Sequence, residues 1–311
     1  TADAIVQAFG TTRRFFLDTI QVAEDPSTDQ VLVNLTRECL DKGLNVVPVV
    51  YPLIGDPVLT SLKDIVTEGE KGICLRVFQN MMEDQNVFRS IVEQILNTLQ
   101  VNKDKVDLIV DLGYQGQSIH RLFLQTILNN IVYDHNQWRS FTLACTSFPE
   151  NMSDIDRDSI EYLKRIEWEA WERLFASYQD GKLERMPSFG DYSVTNPAYP
   201  ILDPRTINPS GHIRYTIDDD YMIVKGGAVR DVRRSGNVLS EGRTYGQMVD
   251  LCRALISQSE FRGRDFSWAD QYIEDCANGQ ASSGNAETWI RVGTNHHLTF
   301  VAQQLANYPL P

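Results

Sequence analysis

The chain has 311 residues, 42% hydrophobic and 23% charged, with a formal net charge of −13. A polypeptide of this length buries about 75% of the surface its unfolded form exposes, so it needs no disulfide or metal staple to build a core. The acidity argues against nucleic acid or anionic lipid as partners, because binding to either normally relies on a basic surface.

Five cysteines (Cys39, Cys74, Cys145, Cys252 and Cys276) are an odd number with no Cys-x-x-Cys pair, which points to free thiols in a reducing compartment. No apolar run reaches the roughly 18 to 20 residues of a membrane span. No basic-then-apolar leader opens the chain either, so a cytoplasmic location is expected.

In chain order, Thr1 to Gly10 reads as the end of a helix stopped by glycine. Between residues 14 and 193, short apolar runs then alternate with helical patterns. The runs are Arg14–Thr19, Asn45–Tyr51, Gly72–Phe78, Asp107–Gly113, Ser140–Phe148 and Ser188–Val194. They are largely continuous in Val, Ile, Leu and Phe, the pattern of strands buried on both faces in a helix-covered parallel sheet. Ser27 or Thr28 can cap a helix carrying Leu32, Leu35, Cys39 and Leu40, and Pro57–Thr67 is a short one. Asp84 can cap Val87, Phe88, Ile91, Val92, Ile95, Leu96 and Leu99. Ser118 precedes Ile119, Leu122, Phe123, Ile127 and Ile131. Ile160, Leu163, Ala170, Trp171, Leu174 and Phe175 form a fifth stripe.

A strand and its crossover helix take about 30 residues, and the runs recur at that interval. Six such units suit an open doubly wound sheet or a barrel. No Gly-x-Gly-x-x-Gly follows an early strand, which lowers the dinucleotide-binding version. The expected fold is therefore α/β, a (β/α)8 TIM-like barrel with two N-terminal strands lying upstream of residue 1. Residues 1–195 would be barrel units. Residues 196–311 would be a C-terminal elaboration in the same domain. It comprises a Pro-rich excursion (Pro197, Pro200, Pro204, Pro209), a hairpin of Ile213–Thr216 and Tyr221–Lys225, and helices over Gly246–Ser257, Trp268–Cys276 and around Leu298–Leu305.

Several candidate strands end in polar residues, namely Asp18, Arg76, Asp111, Ser147 and Asp191. The C-terminal strand ends of a barrel form its active-site face, and carboxylates crowded there share a proton or bind a cation. They also cap helices or pair with arginine. In His296-His297, adjacent residues diverge by about 100° on a helix, so they ligate one metal poorly. One of them could still serve as acid, base or donor. Asp18, Asp111, Asp191, His296 and His297 are thus candidate catalytic residues. No metal site is expected, and no cofactor is indicated.

Asp218-Asp219-Asp220 lacks calcium-loop spacing and reads as a hairpin turn. Gly190–Ser193 is no nucleophile elbow, and Gly226-Gly227 lacks the ending of a phosphate loop. Arg230–Arg234 with Arg243, interleaved with acids, reads as an exposed loop in preference to a phosphate site. Trp168, Trp171, Trp268 and Trp289 read as core.

Several stretches together resemble the bacteriophage-associated Beta protein family: Asp111-Leu112-Gly113, Trp138–Ala144 running on to Phe148-Pro149-Glu150, and Phe189–Tyr192. Ile213–Thr216 with its acidic turn, Asp265–Asp270 and Thr288–Thr299 complete the set. Order and spacing agree from about residue 14 to the end, and the last stretch is the most specific. Tyr192, Arg214 and Asn295 within these stretches join Arg76 and Ser147 as candidate binding residues.

The resemblance implies a barrel protein that begins further upstream. It also implies an immunity or antitoxin-like component of a phage-defence cassette, with the toxic effector of the same operon as its protein partner. It transfers no catalytic residue. Two rival functions are a hydrolase acting on a small or phosphorylated substrate at the barrel mouth, and a sensor of a phage protein or nucleotide.

Overall fold

Six of the apolar runs become strands of one parallel sheet, each linked to the next by a helix or a long crossover. A computed structural model describes residues 2–22, 30–69, 71–116, 119, 124, 127, 128, 135–198, 208–234 and 237–309. The chain divides into two compact units. The first comprises Thr1–Gly113, Ile119–Cys145 and Arg173–Gly190; the second comprises Tyr114–Ser118, Thr146–Glu172 and Asp191–Pro311.

In the first unit the elements run α1 (Ala2–Phe9), β1 (Arg14–Leu17), α2 (Val31–Asp41), β2 (Asn45–Val50), α3 (Asp56–Gly69), β3 (Ile73–Phe78), α4 (Gln85–Leu99), β4 (Val106–Tyr114) and β5 (Ser140–Thr146). After β6 (Ser159–Lys164) come α5 (Ile166–Gln179) and β7 (Ser188–Gly190). Asp84 caps α4 as expected, its carboxylate accepting from the N–H groups of Asn86 and Val87. The strand order is β1-β2-β3-β4-β5-β7.

This order corrects the expected (β/α)8 TIM-like barrel. Among the described residues β1 pairs only with β2 and β7 only with β5, so the sheet is open, whereas every strand of a barrel has two neighbours. Continuous apolar runs report burial on both faces, and an open sheet flanked by helices buries them as well as a closed one.

The helical stripe expected from Ile160 is also corrected, because residues 159–164 are strand β6 and the helix begins at Ile166. Ile160 and Leu163 happen to share a helical spacing, but strand β9 pairs with them. The expected features at Ser27, Thr28, Ser118, Leu122, Phe123, Ile131, Pro200 and Pro204 lie outside the described residues.

Gly72, at φ +70°, shows why glycine is required before β3. A Cβ there would lie 1.9 Å from the Lys105 carbonyl oxygen, and the left-handed backbone already disfavours side chains. Beside it, the Asp107 carboxylate gathers Arg14, Arg139 and Ser140, which ties the starts of β1, β4 and β5.

The second unit is built on an antiparallel sheet of order β6-β9-β8, with β8 (Ser210–Thr216) and β9 (Asp220–Ala228) forming the expected hairpin. A ribbon of β10 (Val232–Arg234) and β11 (Asn237–Ser240) follows, replacing the loop expected at Arg230–Arg234, and Arg243 pairs with Asp158. Helices α6 (Met248–Ile256), α7 (Trp268–Ala277) and α8 (Ala286–Leu305) complete it.

Strand alternation sorts the sheet faces. Ile213, Tyr215, Met222 and Val224 meet Met248, Cys252, Leu255, Ile273, Cys276, Trp289 and Val292 in one core. Tyr221 and Ile223 meet Phe148, Met152, Ile155 and Val194 in another. Burying each large apolar side chain contributes about 1.5 to 3 kcal/mol. Trp268 departs from expectation: it is 44% exposed, with Arg291 over its ring.

Candidate functional site

The predicted residues gather into two groups, one within each unit. In the parallel unit, Asp18 follows β1, Arg76 sits in β3 and Asp111 in β4. Arg76 Nε and Nη2 donate to Asp111 Oδ2 at 2.8 and 2.5 Å, and Nη1 donates to Asp18 Oδ2 at 2.5 Å. The remaining carboxylate oxygens accept backbone N–H groups, Ile20 on Asp18 and Gly113 on Asp111. The Asp111 side chain is 1% exposed, against 24% for Asp18. The guanidinium between the acids neutralises the repulsion that would make them share a proton or capture a cation.

In the antiparallel unit α8 delivers both histidines. An Asn285–Thr288 capping box starts the helix, and Gly293 lets it approach β8. A Cβ at Gly293 would lie 3.1 Å from the Arg214 carbonyl oxygen. His297 and Asp191 meet through Nε2 and Oδ2 at 2.7 Å, while His297 Nδ1 lies 2.8 Å from the Thr216 hydroxyl. Nε2–H donates to Asp191, and Nδ1 shares a hydrogen bond with the Thr216 hydroxyl, so both ring nitrogens are engaged.

Burial works to raise the Asp191 carboxyl. The His297 ring and its hydrogen bond, the Ser193 N–H and the Arg165 charge outweigh burial and hold it below the usual carboxylate range.

His296 faces the other way. Its Nδ1 lies 2.9 Å from Asp270 Oδ2 and its Nε2 2.8 Å from the Thr216 carbonyl oxygen. Both ring nitrogens are therefore engaged inside the unit. Tyr215 stacks on the ring at 3.7 Å, and Phe266 and Phe300 flank it. Asp270 also accepts from Tyr215 Oη at 2.6 Å and Ser267 Oγ at 2.5 Å.

Of the candidate binding residues, Ser147 donates its backbone N–H to Glu167 Oε2 at 2.8 Å, and Tyr221 Oη donates to Glu167 Oε1 at 2.6 Å. Asn295 Oδ1 accepts from the Ala269 N–H and joins α8 to the start of α7. The Tyr192 carbonyl accepts from Thr195. Arg214 Nη1 donates to the Val194 carbonyl oxygen at 2.7 Å.

Glu167, Asp270 and Thr216 escaped the sequence reading. Asp270 closes one of the stretches singled out above; Glu167 stands in an ordinary acidic first turn and carries no signal. Among the described residues no group of three or more His, Cys, Asp or Glu could hold a metal ion. No described helix is long and apolar enough to cross a membrane.

An open parallel sheet with arginine-clamped carboxylates, joined in one chain to an antiparallel sheet with a buried histidine–aspartate network, defines a two-unit α/β protein. The family model for Beta protein matches residues 1–303, and the chain belongs to that family. No curated protein and no solved structure matches it.

Proposed function

We propose that this Beta-family protein acts by binding, as the immunity or antitoxin-like member of a phage-defence cassette that restrains a toxic effector of the same operon. One observation supports this over chemistry. The groups that acid–base catalysis would use are already bonded to internal partners, and Asp111, Asp270, His296 and His297 are no more than 1% exposed. A general base must come within hydrogen-bond reach of a substrate proton. A ring closed to solvent with both nitrogens engaged offers no such reach.

The net charge of −13 suits a basic effector, since opposite potentials speed encounter and reject wrong partners. A stable pair of this kind buries on the order of 1,600 Å².

Co-expression with the neighbouring toxic gene product tests the reading. Co-purification and suppressed toxicity are expected, and failure of both refutes it. The Asp111→Asn/Asp191→Asn double variant, once shown to be folded, should keep full suppression. Loss of suppression with the fold intact would favour a hydrolase acting on a small or phosphorylated substrate.

A further inference from the structure

Strands β8 and β9 set three nitrogen-bearing side chains on one sheet face, the face turned away from the Tyr215 core. His212 and Arg214 alternate with Ile213 and Tyr215 along β8, and His212 stands opposite Lys225 in the β8–β9 register. All three line a cleft of about 900 Å³, within the range of roughly 300 to 1,000 Å³ that small-molecule sites occupy.

Lys225 is the unusual member. It is 6% exposed, and its Nζ donates to the carbonyl oxygens of Met152 at 2.6 Å and Ile155 at 2.5 Å. Among the described residues it forms no ion pair. An ammonium group removed from water without a counter-ion is costly, and two carbonyl bonds leave its third N–H for whatever enters the cleft.

Arg214 is held beside it. Its guanidinium lies 5.1 Å from the centre of the Phe148 ring, and its Nε donates to His212 Nε2 at 3.2 Å. His212 donates from Nδ1 to the Ser210 carbonyl oxygen at 3.0 Å, so its Nε2 is an acceptor and the ring is neutral. Burial and the Arg214 charge hold the ring in that form, bringing its pKa down to about 4. Among the described residues the acids lining the cleft, Glu150 and Asp156, are exposed, as is Arg157, so water screens all three.

We propose that this cleft binds a small molecule bearing a phosphate group, with Lys225 and Arg214 as the cationic floor that receives the phosphate oxygens. Two adjacent cations match a phosphate dianion better than a single carboxylate, and charge-assisted hydrogen bonds supply the affinity. The inference uses residues of the antiparallel unit alone and holds whether or not the protein restrains an effector.

Titration calorimetry at fixed ionic strength tests it, with inorganic phosphate, adenosine monophosphate and acetate as probes. Both phosphate compounds should bind and acetate should bind more weakly. Lys225→Met and Arg214→Gln should each weaken phosphate binding about ten- to a hundredfold. Circular dichroism establishes that the variants are folded. Should they not fold, hydrogen exchange on the unaltered chain decides: inorganic phosphate should slow exchange in residues 152–156 and 210–214. The proposal is overturned if neither phosphate compound binds at millimolar concentration. It is equally overturned if folded variants bind as the unaltered chain does, if acetate binds as well as phosphate, or if protection falls elsewhere.

Discussion

Replacing Arg76 with Met keeps most of the side-chain volume and removes the charge that Asp111 and Asp18 share. Asp111 is 1% exposed and would lose two charge-assisted hydrogen bonds from Arg76, which the neutral Gly113 N–H does not replace. Breaking a buried pair by removing one partner costs about 3 to 5 kcal/mol, because the remaining charge is left uncompensated. Asp18 is 24% exposed, so water takes over its solvation and its share stays below about 1 kcal/mol.

Urea unfolding followed by circular dichroism measures the total. Double-mutant cycles with Asp111→Asn and Asp18→Asn apportion it, and each single variant requires its own unfolding curve. Asp111→Asn in the Arg76→Met background should recover part of the loss, with a coupling of about 1.5 to 3 kcal/mol. Asp18→Asn should recover less than half as much. A loss under about 1 kcal/mol for Arg76→Met, or equal couplings to the two acids, would refute the assignment of Arg76 as the counter-ion of a buried Asp111.

Gly72→Ala places a Cβ 1.9 Å from the Lys105 carbonyl oxygen at a left-handed backbone position, so it should lower stability by more than about 1 kcal/mol in a thermal melt, where an ordinary exposed Gly→Ala is neutral or stabilising. Tyr215→Phe removes a donor to Asp270 and leaves the Arg262 N–H without its acceptor, which should cost about 2 to 4 kcal/mol by urea unfolding. His212 titrates at about 4 in the folded chain against an unfolded value of 6.5, so the unfolded state takes up the proton first. Its contribution is complete above that unfolded value and is lost as the pH falls toward 4, by up to about 3 kcal/mol, and His212→Gln should flatten this slope. The depressed Asp191 carboxyl acts in a separate, more acidic window: its contribution is present above the unfolded value of 3.8 and is lost as the pH falls through its lower folded value.

The strands of the parallel unit were legible because burial on both faces leaves uninterrupted apolar runs. Asn45–Tyr51 became Asn45–Val50, and Gly72–Phe78 became Ile73–Phe78. Strand β6 was hidden because Ser159, Glu161 and Lys164 break its apolar pattern, and only pairing with β9 makes it a strand. Lys225 gave a signal that went unused: a lysine ending the apolar stretch Tyr221–Val224 is a buried charge in waiting.

Local composition determined most of the strands and helices, β6 excepted, because side-chain volume, capping and periodicity act within a few residues of one another. The stretches shared with the Beta family agree with the family match over residues 1–303, whereas the acids and histidines expected around one barrel mouth fall into two groups. Whether the sheet closes, and what each charge meets, was decided by the tertiary structure. Arg76 reaches Asp111 across 35 residues and Asp18 across 58, and His297 meets Asp191 across 106. A carboxylate's chemistry depends on its counter-ion and its water, and both are supplied by segments distant in the chain.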